Sequence, residues 1–283
     1  MESFDFRGLT VAYERTGRGE PVIMLHNGGS SHAIWADVAR RLSGEYEIFA
    51  LDLLGFGESA KPGAGYTLDN YVAMLEEFIG VLGLGRVSLV GNCMGCAISL
   101  AFADRHPDAV KALVLCNPLT ESTFLGGWLG PLLWLRERLP AVNRGVYRVL
   151  GNLTLPGAVG PAATLFQLGP RGWTRKVHRN SEVSGCYSAT GQLESLLGVL
   201  DDLENYAVID NLVPRQGFPP VCTIWGAKNK IVSPKAGRRL NATLHPARQE
   251  LLGDCGHLLM LERPDEVAAI IDGFLRENAP ARA

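Results

Sequence analysis

Val87-Ser88-Leu89-Val90-Gly91-Asn92-Cys93-Met94-Gly95-Cys96-Ala97 is the stretch whose reading decides the fold of this chain. A short apolar run ends in a Gly-x-x-x-Gly corner, and a helical pattern follows at once through Ile98, Leu100, Ala101 and Phe102. That is the strand–turn–helix of a nucleophile elbow, whose central residue must take a strained backbone conformation. Small residues two places before and after it let strand and helix pass closely. Serine is the usual central residue; here it is Cys93.

The segments on either side alternate in the same way. Leu9 to Tyr13, Pro21 to Leu25 and Glu47 to Asp52 read as strands, with a helix from about Trp35 to Leu42 between the last two. Apolar residues at helical spacing (Tyr71, Met74, Leu75, Phe78, Ile79, Leu82) predict a helix over 66–82. Beyond the elbow, Ala112 to Cys116 is another buried strand. The alternation lapses after Asn117-Pro118 and resumes with strands at Val221 to Trp225 and Ala247 to Leu252, then a helix over Pro264 to Glu277. Short apolar strands alternating with helices predict an α/β fold, a mostly parallel sheet covered by helices on both faces. The expected organisation is a core over 1–118 and 218–283, interrupted by a helical insertion over 119–217. An apolar insertion placed after a strand's C-terminal end lies over the site as a lid.

The bulk properties narrow the function class. A chain of 283 residues, 47% hydrophobic and 20% charged, supports one sizeable core. Net charge is −2 without a long run of one sign, so neither nucleic acid nor a membrane surface is an expected partner. The N-terminus lacks the basic and apolar regions of a signal peptide, and no run of about 18 apolar residues appears. Six cysteines lack the spacing of a disulfide framework and are read as reduced thiols, which points to a cytoplasmic protein. Cys116 and Cys222 sit in strand-like apolar runs as small core residues. Gly55-Phe56-Gly57 lacks the third glycine of a dinucleotide fingerprint, and no His and carboxylate spacing suggests a metal, so no cofactor is expected.

The ordered set His26-Asn27-Gly28-Gly29, Asp52 through Ser59, Gly91 to Gly95, Trp225-Gly226 and Gly256-His257 resembles the α/β-hydrolase superfamily. The resemblance is to the lidded group of meta-cleavage-product hydrolases, proline iminopeptidases, haloalkane dehalogenases and small esterases. It implies an eight-stranded sheet with a helical lid. It also places the nucleophile on Cys93, the general base on His257, and the oxyanion hole on the Met94 N–H with Gly28 or Asn27. The family's acid falls within Ala227 to Val232, where Asn229 aligns best; relatives that carry it after the preceding strand would place it at Asn117. Neither position holds a carboxylate, although Glu121 or Asp254 could substitute.

The two departures are chemically compatible. A thiol near pKa 8.5 beside an imidazole near 6.5 leaves a thiolate–imidazolium pair only roughly 2 units uphill. The helix N-terminus behind Cys93 can supply part of that, and an amide can orient the ring, as in papain-like enzymes. The expected activity is acyl transfer or hydrolysis on an ester, lactone or thioester of a hydrophobic acyl group, through a thioester acyl-enzyme. The substrate is a small molecule or a carrier-bound acyl thioester, with Phe124, Trp128 and Trp134 lining its pocket beside lid residues such as Leu132. A monomer or homodimer suffices. Two other readings stand beside this one: a non-covalent His-based lyase or cofactor-free enzyme, and a small-molecule binder without catalysis. His26 is read as holding its own loop together.

Overall fold

In a computed structural model, residues 1–131, 133–134 and 157–279 are described. Strands β1 (Glu2–Phe6), β2 (Leu9–Gly17) and β3 (Glu20–Leu25) lead into helix α1 (Ala36–Leu42) and strand β4 (Tyr46–Leu51). Helix α2 (Leu68–Val81) is capped by Thr67, whose hydroxyl accepts from Asn70 N, so the helix starts two residues later than its periodicity alone suggests. Strand β5 (Val87–Asn92), helix α3 (Met94–Arg105) and strand β6 (Val110–Cys116) follow. Between β6 and strand β7 (Val221–Gly226), the described residues form helices without a strand: α4 (Glu121–Leu125), α5 (Val159–Gln167), α6 (Pro170–Thr174), α7 (Ser181–Ser184), α8 (Gln192–Asp201) and α9 (Ala207–Asp210), with short 3-10 turns. Leu132 lies outside the described residues. Helix α10 (Pro234–Leu244), strand β8 (Arg248–Leu252) and helices α11 (Leu259–Glu262) and α12 (Pro264–Glu277) complete the chain.

The eight strands form one sheet in the order β1-β2-β4-β3-β5-β6-β7-β8. Strands β3 to β8 pair in parallel, while β1 and β2 add an antiparallel edge. The sequence reading began at Leu9 and missed β1. Its polar outward residues Glu2, Ser3 and Asp5 leave only Phe4 and Phe6 buried, too few for a periodic signal. One face of the sheet is covered by α2 and α3, with Tyr71, Leu75, Phe78 and Phe102 buried. The other is covered by α1 and α12, with Trp35, Ile271 and Phe274 buried. Because β3, β5, β6, β7 and β8 run the same way, their C-terminal ends share one edge. His26, Cys93, Asn117, Asn229 and His257 all follow those ends, where an open parallel sheet concentrates its chemistry.

Candidate active site

The register of β5 sets the corner. Cys93 caps α3 with φ 52° and ψ −109°, a region that costs a side-chain-bearing residue about 1–3 kcal/mol. Its N–H donates to Cys116 O at 3.0 Å, and its carbonyl accepts from Cys96 N at 3.0 Å and Leu119 N at 3.2 Å. The flanking glycines are required by contact. A Cβ on Gly91 falls 2.5 Å from Cys96 N, and one on Gly95 falls 2.3 Å from Leu25 O. Cys93 and Cys96 also make a Cys-x-x-Cys spacing. The Cys96 thiol points into the sheet, donating to Gly91 O and Cys116 O, and both thiols are free.

Above the corner lies an apolar cavity of about 210 Å³. It brings together Cys93, Met94, Asn27, Gly28, His257 and Phe124 from the sequence-expected set, with Phe166, Gln167, Tyr187, Leu196, Leu200 and Ile231 closing the wall. No described lining residue carries a formal charge. Two expected substrate contacts are corrected: Trp128 and Trp134 do not line this cavity, and their exposures are 70% and 52%. The Trp128 ring faces outward against Phe166 and the Lys230 ammonium, which lies 5.8 Å from its centroid. A more open cleft of about 820 Å³ beside His32, Asp52 and Cys186 touches neither Cys93 nor His257.

Burial sets the protonation of the pair. It pushes the Cys93 thiol up to about 12, against a smaller opposing pull from the Met94 N–H, and pushes His257 down to about 3. Both groups rest neutral, so the expectation of an accessible thiolate at the helix N-terminus is corrected. Removing the sulfur from water outweighs what the helix supplies.

The His257 loop is held from three sides. His257 N donates to Gln167 O at 2.7 Å, and Lys228 N donates to Cys255 O at 2.9 Å. Asn117, at φ 51°, accepts from Gly226 N at 2.9 Å and donates to His257 O at 3.1 Å and Gly256 O at 3.3 Å. The buried carboxylate of Glu262 accepts from Gly256 N, Gly169 N and Gly172 N at 2.8–3.1 Å, tying the loop to α6; burial raises its pKa to about 7 despite those donors. The Asn229 carbonyl oxygen accepts from Ile231 N and Val232 N, at 2.9 and 3.2 Å. The Asn229 amide nitrogen and His257 Nδ1 are both buried without a partner. Asp254 is engaged by Arg263. Among the described residues, no carboxylate meets the ring.

The loop expected to hold the oxyanion is braced as well. His26 joins Asn27 O through Nδ1 at 2.7 Å and accepts from Leu53 N through Nε2 at 3.0 Å, which makes it a clip for its own loop. Burial lowers it to about 4, so it stays neutral there. Asn27 accepts from Asn92 at 3.3 Å and donates to Gly28 O at 3.1 Å and Gln167 Oε1 at 3.4 Å. Sequence reasoning missed Gln167, Tyr187 and Glu262. Only Glu262 left a signal, as a lone acid closing the apolar run Leu258 to Leu261. Among the described residues, no group of three His, Cys, Asp or Glu side chains is arranged to hold a metal. Among them too, no helix is long and apolar enough to cross a membrane.

Residues 20–264 match the α/β hydrolase fold family. The chain belongs to that family. It is thus an α/β-hydrolase enzyme, with the sheet order, elbow and His loop in the positions described. It is similar to 2-hydroxy-6-oxo-6-(2'-aminophenyl)hexa-2,4-dienoic acid hydrolase of Metapseudomonas resinovorans, at 29% identity over 96% of this chain and 89% of the relative. It is also similar to lipase 1 of Psychrobacter immobilis, at 28% identity over 92% and 79%. Among solved structures, a thermophilic esterase from Thermogutta terrifontis superposes with a TM-score of 0.79 at 22% identity, covering 98% of this chain and 97% of that one.

Proposed function

We propose that this α/β hydrolase cleaves esters or thioesters of neutral, apolar acyl groups with Cys93 as nucleophile and His257 as base. The insertion over 119–217 serves as its lid. The observation that carries the reading is the position of Cys93, strained at the elbow and facing an uncharged cavity shared with His257, Met94 and the oxyanion loop. Its similarity to a hydrolase of a hexa-2,4-dienoic acid and to a lipase supports a hydrolytic reading. The absence of a charged group among the described lining residues favours a neutral acyl group over an anionic one.

The neutral resting state shapes the chemistry. Cys93 Sγ bonds to the carbonyl carbon while its proton passes to His257 Nε2, so charge separates only in the transition state. The carbonyl π electrons move to oxygen, which faces the Met94 N–H and the Gly28 side of the loop. Collapse breaks the bond to the leaving group, which takes the proton from His257 and leaves a thioester on Cys93. A water or another nucleophile, deprotonated by the same ring, then releases the acyl group.

Intact-protein mass spectrometry after mixing with an activated medium-chain acyl ester tests the reading. The expected result is one acyl adduct mapped to Cys93, absent in Cys93→Ala together with all turnover. Unchanged turnover in Cys93→Ala would sink the proposal. Loss of turnover in His257→Ala with turnover only reduced in Cys93→Ala would assign a His-based lyase instead.

A further inference from the structure

The hydrogen-bond accounting around Tyr187 leaves one hydrogen without an acceptor. Tyr187 is half-buried, lines the cavity with Cys93, and packs its ring over the oxyanion loop, where a Cβ on Gly29 would fall 2.7 Å from it. Its phenolic oxygen receives Gln167 Nε2 at 2.6 Å. That direction is forced, because the same Nε2 donates to Ala163 O, which can only accept, at 3.2 Å. The phenol oxygen is therefore an acceptor toward Gln167. Among the described residues, none accepts its own O–H.

A phenol whose oxygen accepts from one side keeps its own hydrogen for an acceptor on another. The open direction is the cavity, on the side where Asn27 and Gly28 form the loop opposite Met94. We infer that Tyr187 is a further catalytic residue, whose O–H donates a hydrogen bond to the substrate carbonyl oxygen and holds it as negative charge develops. This rests on the acyl-transfer reading of Cys93. No proton is transferred from Tyr187: the sulfur–carbon bond forms, the π electrons move to oxygen, the thiol proton goes to His257, and the phenol remains a donor. The Gln167 amide donor on its oxygen polarises the O–H and makes it a stronger donor than a free tyrosine. The same accounting gives Gln167 a positioning role, since its side chain aims the phenol while its backbone carbonyl holds His257 N.

The test uses Tyr187→Phe, which keeps the ring over Gly29 and removes only the hydroxyl. An aliphatic aldehyde that adds to Cys93 as a hemithioacetal serves as probe of the oxyanion. The wild-type enzyme must first show that adduct by mass; its absence overturns the Cys93 reading itself, independently of Tyr187. With the adduct present, Tyr187→Phe is expected to lower the acylation rate roughly 10²-fold, with KM little changed and the melting temperature preserved. Aldehyde affinity should weaken in parallel. Wild-type acylation and aldehyde affinity in a folded Tyr187→Phe would overturn the inference. So would a loss confined to KM, which would make Tyr187 a ground-state contact only. Gln167→Met, keeping bulk without the donor, is expected to show a smaller loss of the same kcat type; no loss there overturns its positioning role.

Discussion

Asn117 and Asn229 end neighbouring parallel strands, are both buried, and stand at the two places where resemblance to relatives would put the catalytic acid. Their surroundings separate them. Asn117 uses all of its side chain, accepting from Gly226 N and donating to the carbonyls of Gly256 and His257. It is a strut that sews β7 to the His loop. Asn229 uses only its oxygen, on Ile231 N and Val232 N, and leaves its amide nitrogen unmet on the loop joined to His257's through Lys228 N and Cys255 O. One residue type at two equivalent-looking positions is structural in the first and chemically open in the second. What decides is which backbone groups the fold delivers to each.

The sharpest break of that comparison is the same substitution at both sites. Asn229→Asp keeps the acceptor for Ile231 and Val232 and puts an oxygen where the amide nitrogen was. A carboxylate there selects the His257 tautomer with Nδ1 protonated and Nε2 free to take the thiol proton. Acylation of Cys93 should rise at least tenfold and up to about 10⁴-fold, the factor by which a triad suffers the reverse change. Stopped-flow acylation and the ring nitrogen signals of His257 by NMR check it; an unchanged rate and tautomer would remove Asn229 from the site. Asn117→Asp should do the opposite, because its carboxylate would face two carbonyl oxygens.

Next in size is Asn117→Ala, which strands a buried N–H and removes the donor to two carbonyls. It also sets alanine at φ 51°. A loss on the order of 3 kcal/mol in urea unfolding is expected, with turnover falling as the His loop loosens. A loss below about 0.5 kcal/mol would deny the strut.

Proton linkage sharpens the contrast between the ring and its supports. The folded value of His257, about 3, lies below the 6.5 of an exposed ring, so the unfolded chain binds the extra proton. Its contribution to stability is intact above about 6.5 and is lost as pH falls toward 3. Glu262 runs the other way: its folded value of about 7 exceeds 4.5, so its contribution is fully present below 4.5 and is lost as pH rises through 7. Urea midpoints across this range should therefore show His257→Gln weakening the acid-side decline and Glu262→Gln removing the decline in stability as pH rises from 4.5 to 7. His26, lowered to about 4, keeps part of the acid-side decline in the first variant. Parallel pH profiles in the two variants would contradict the assignment.

The smallest effect belongs to Trp128→Ala. Its ring lies outside the cavity and, among the described residues, meets Phe166 and Lys230 as ring contacts, so acylation should match wild type and stability should fall by about 1 kcal/mol or less. A large rise in KM would bring Trp128 back into the pocket.

From the sequence alone, the strand–helix alternation, the elbow at Cys93 and the His257 loop were legible. Each is written in neighbouring residues: apolar runs, paired glycines, a turn that allows one close approach. The absence of an acid at 117 and 229 was equally plain. What only the tertiary structure decided is how those residues are partnered. Gln167 reaches Asn27 across more than a hundred residues and holds Tyr187 with the same amide, Trp128 turns outward although its helical spacing allowed either direction, and burial neutralises a thiol and an imidazole whose free forms suggest a charged pair. Periodicity records which face of a local element is apolar. It holds no record of which distant backbone group will meet a side chain, or of how much water the assembled cavity excludes, and those two quantities set the chemistry of this site.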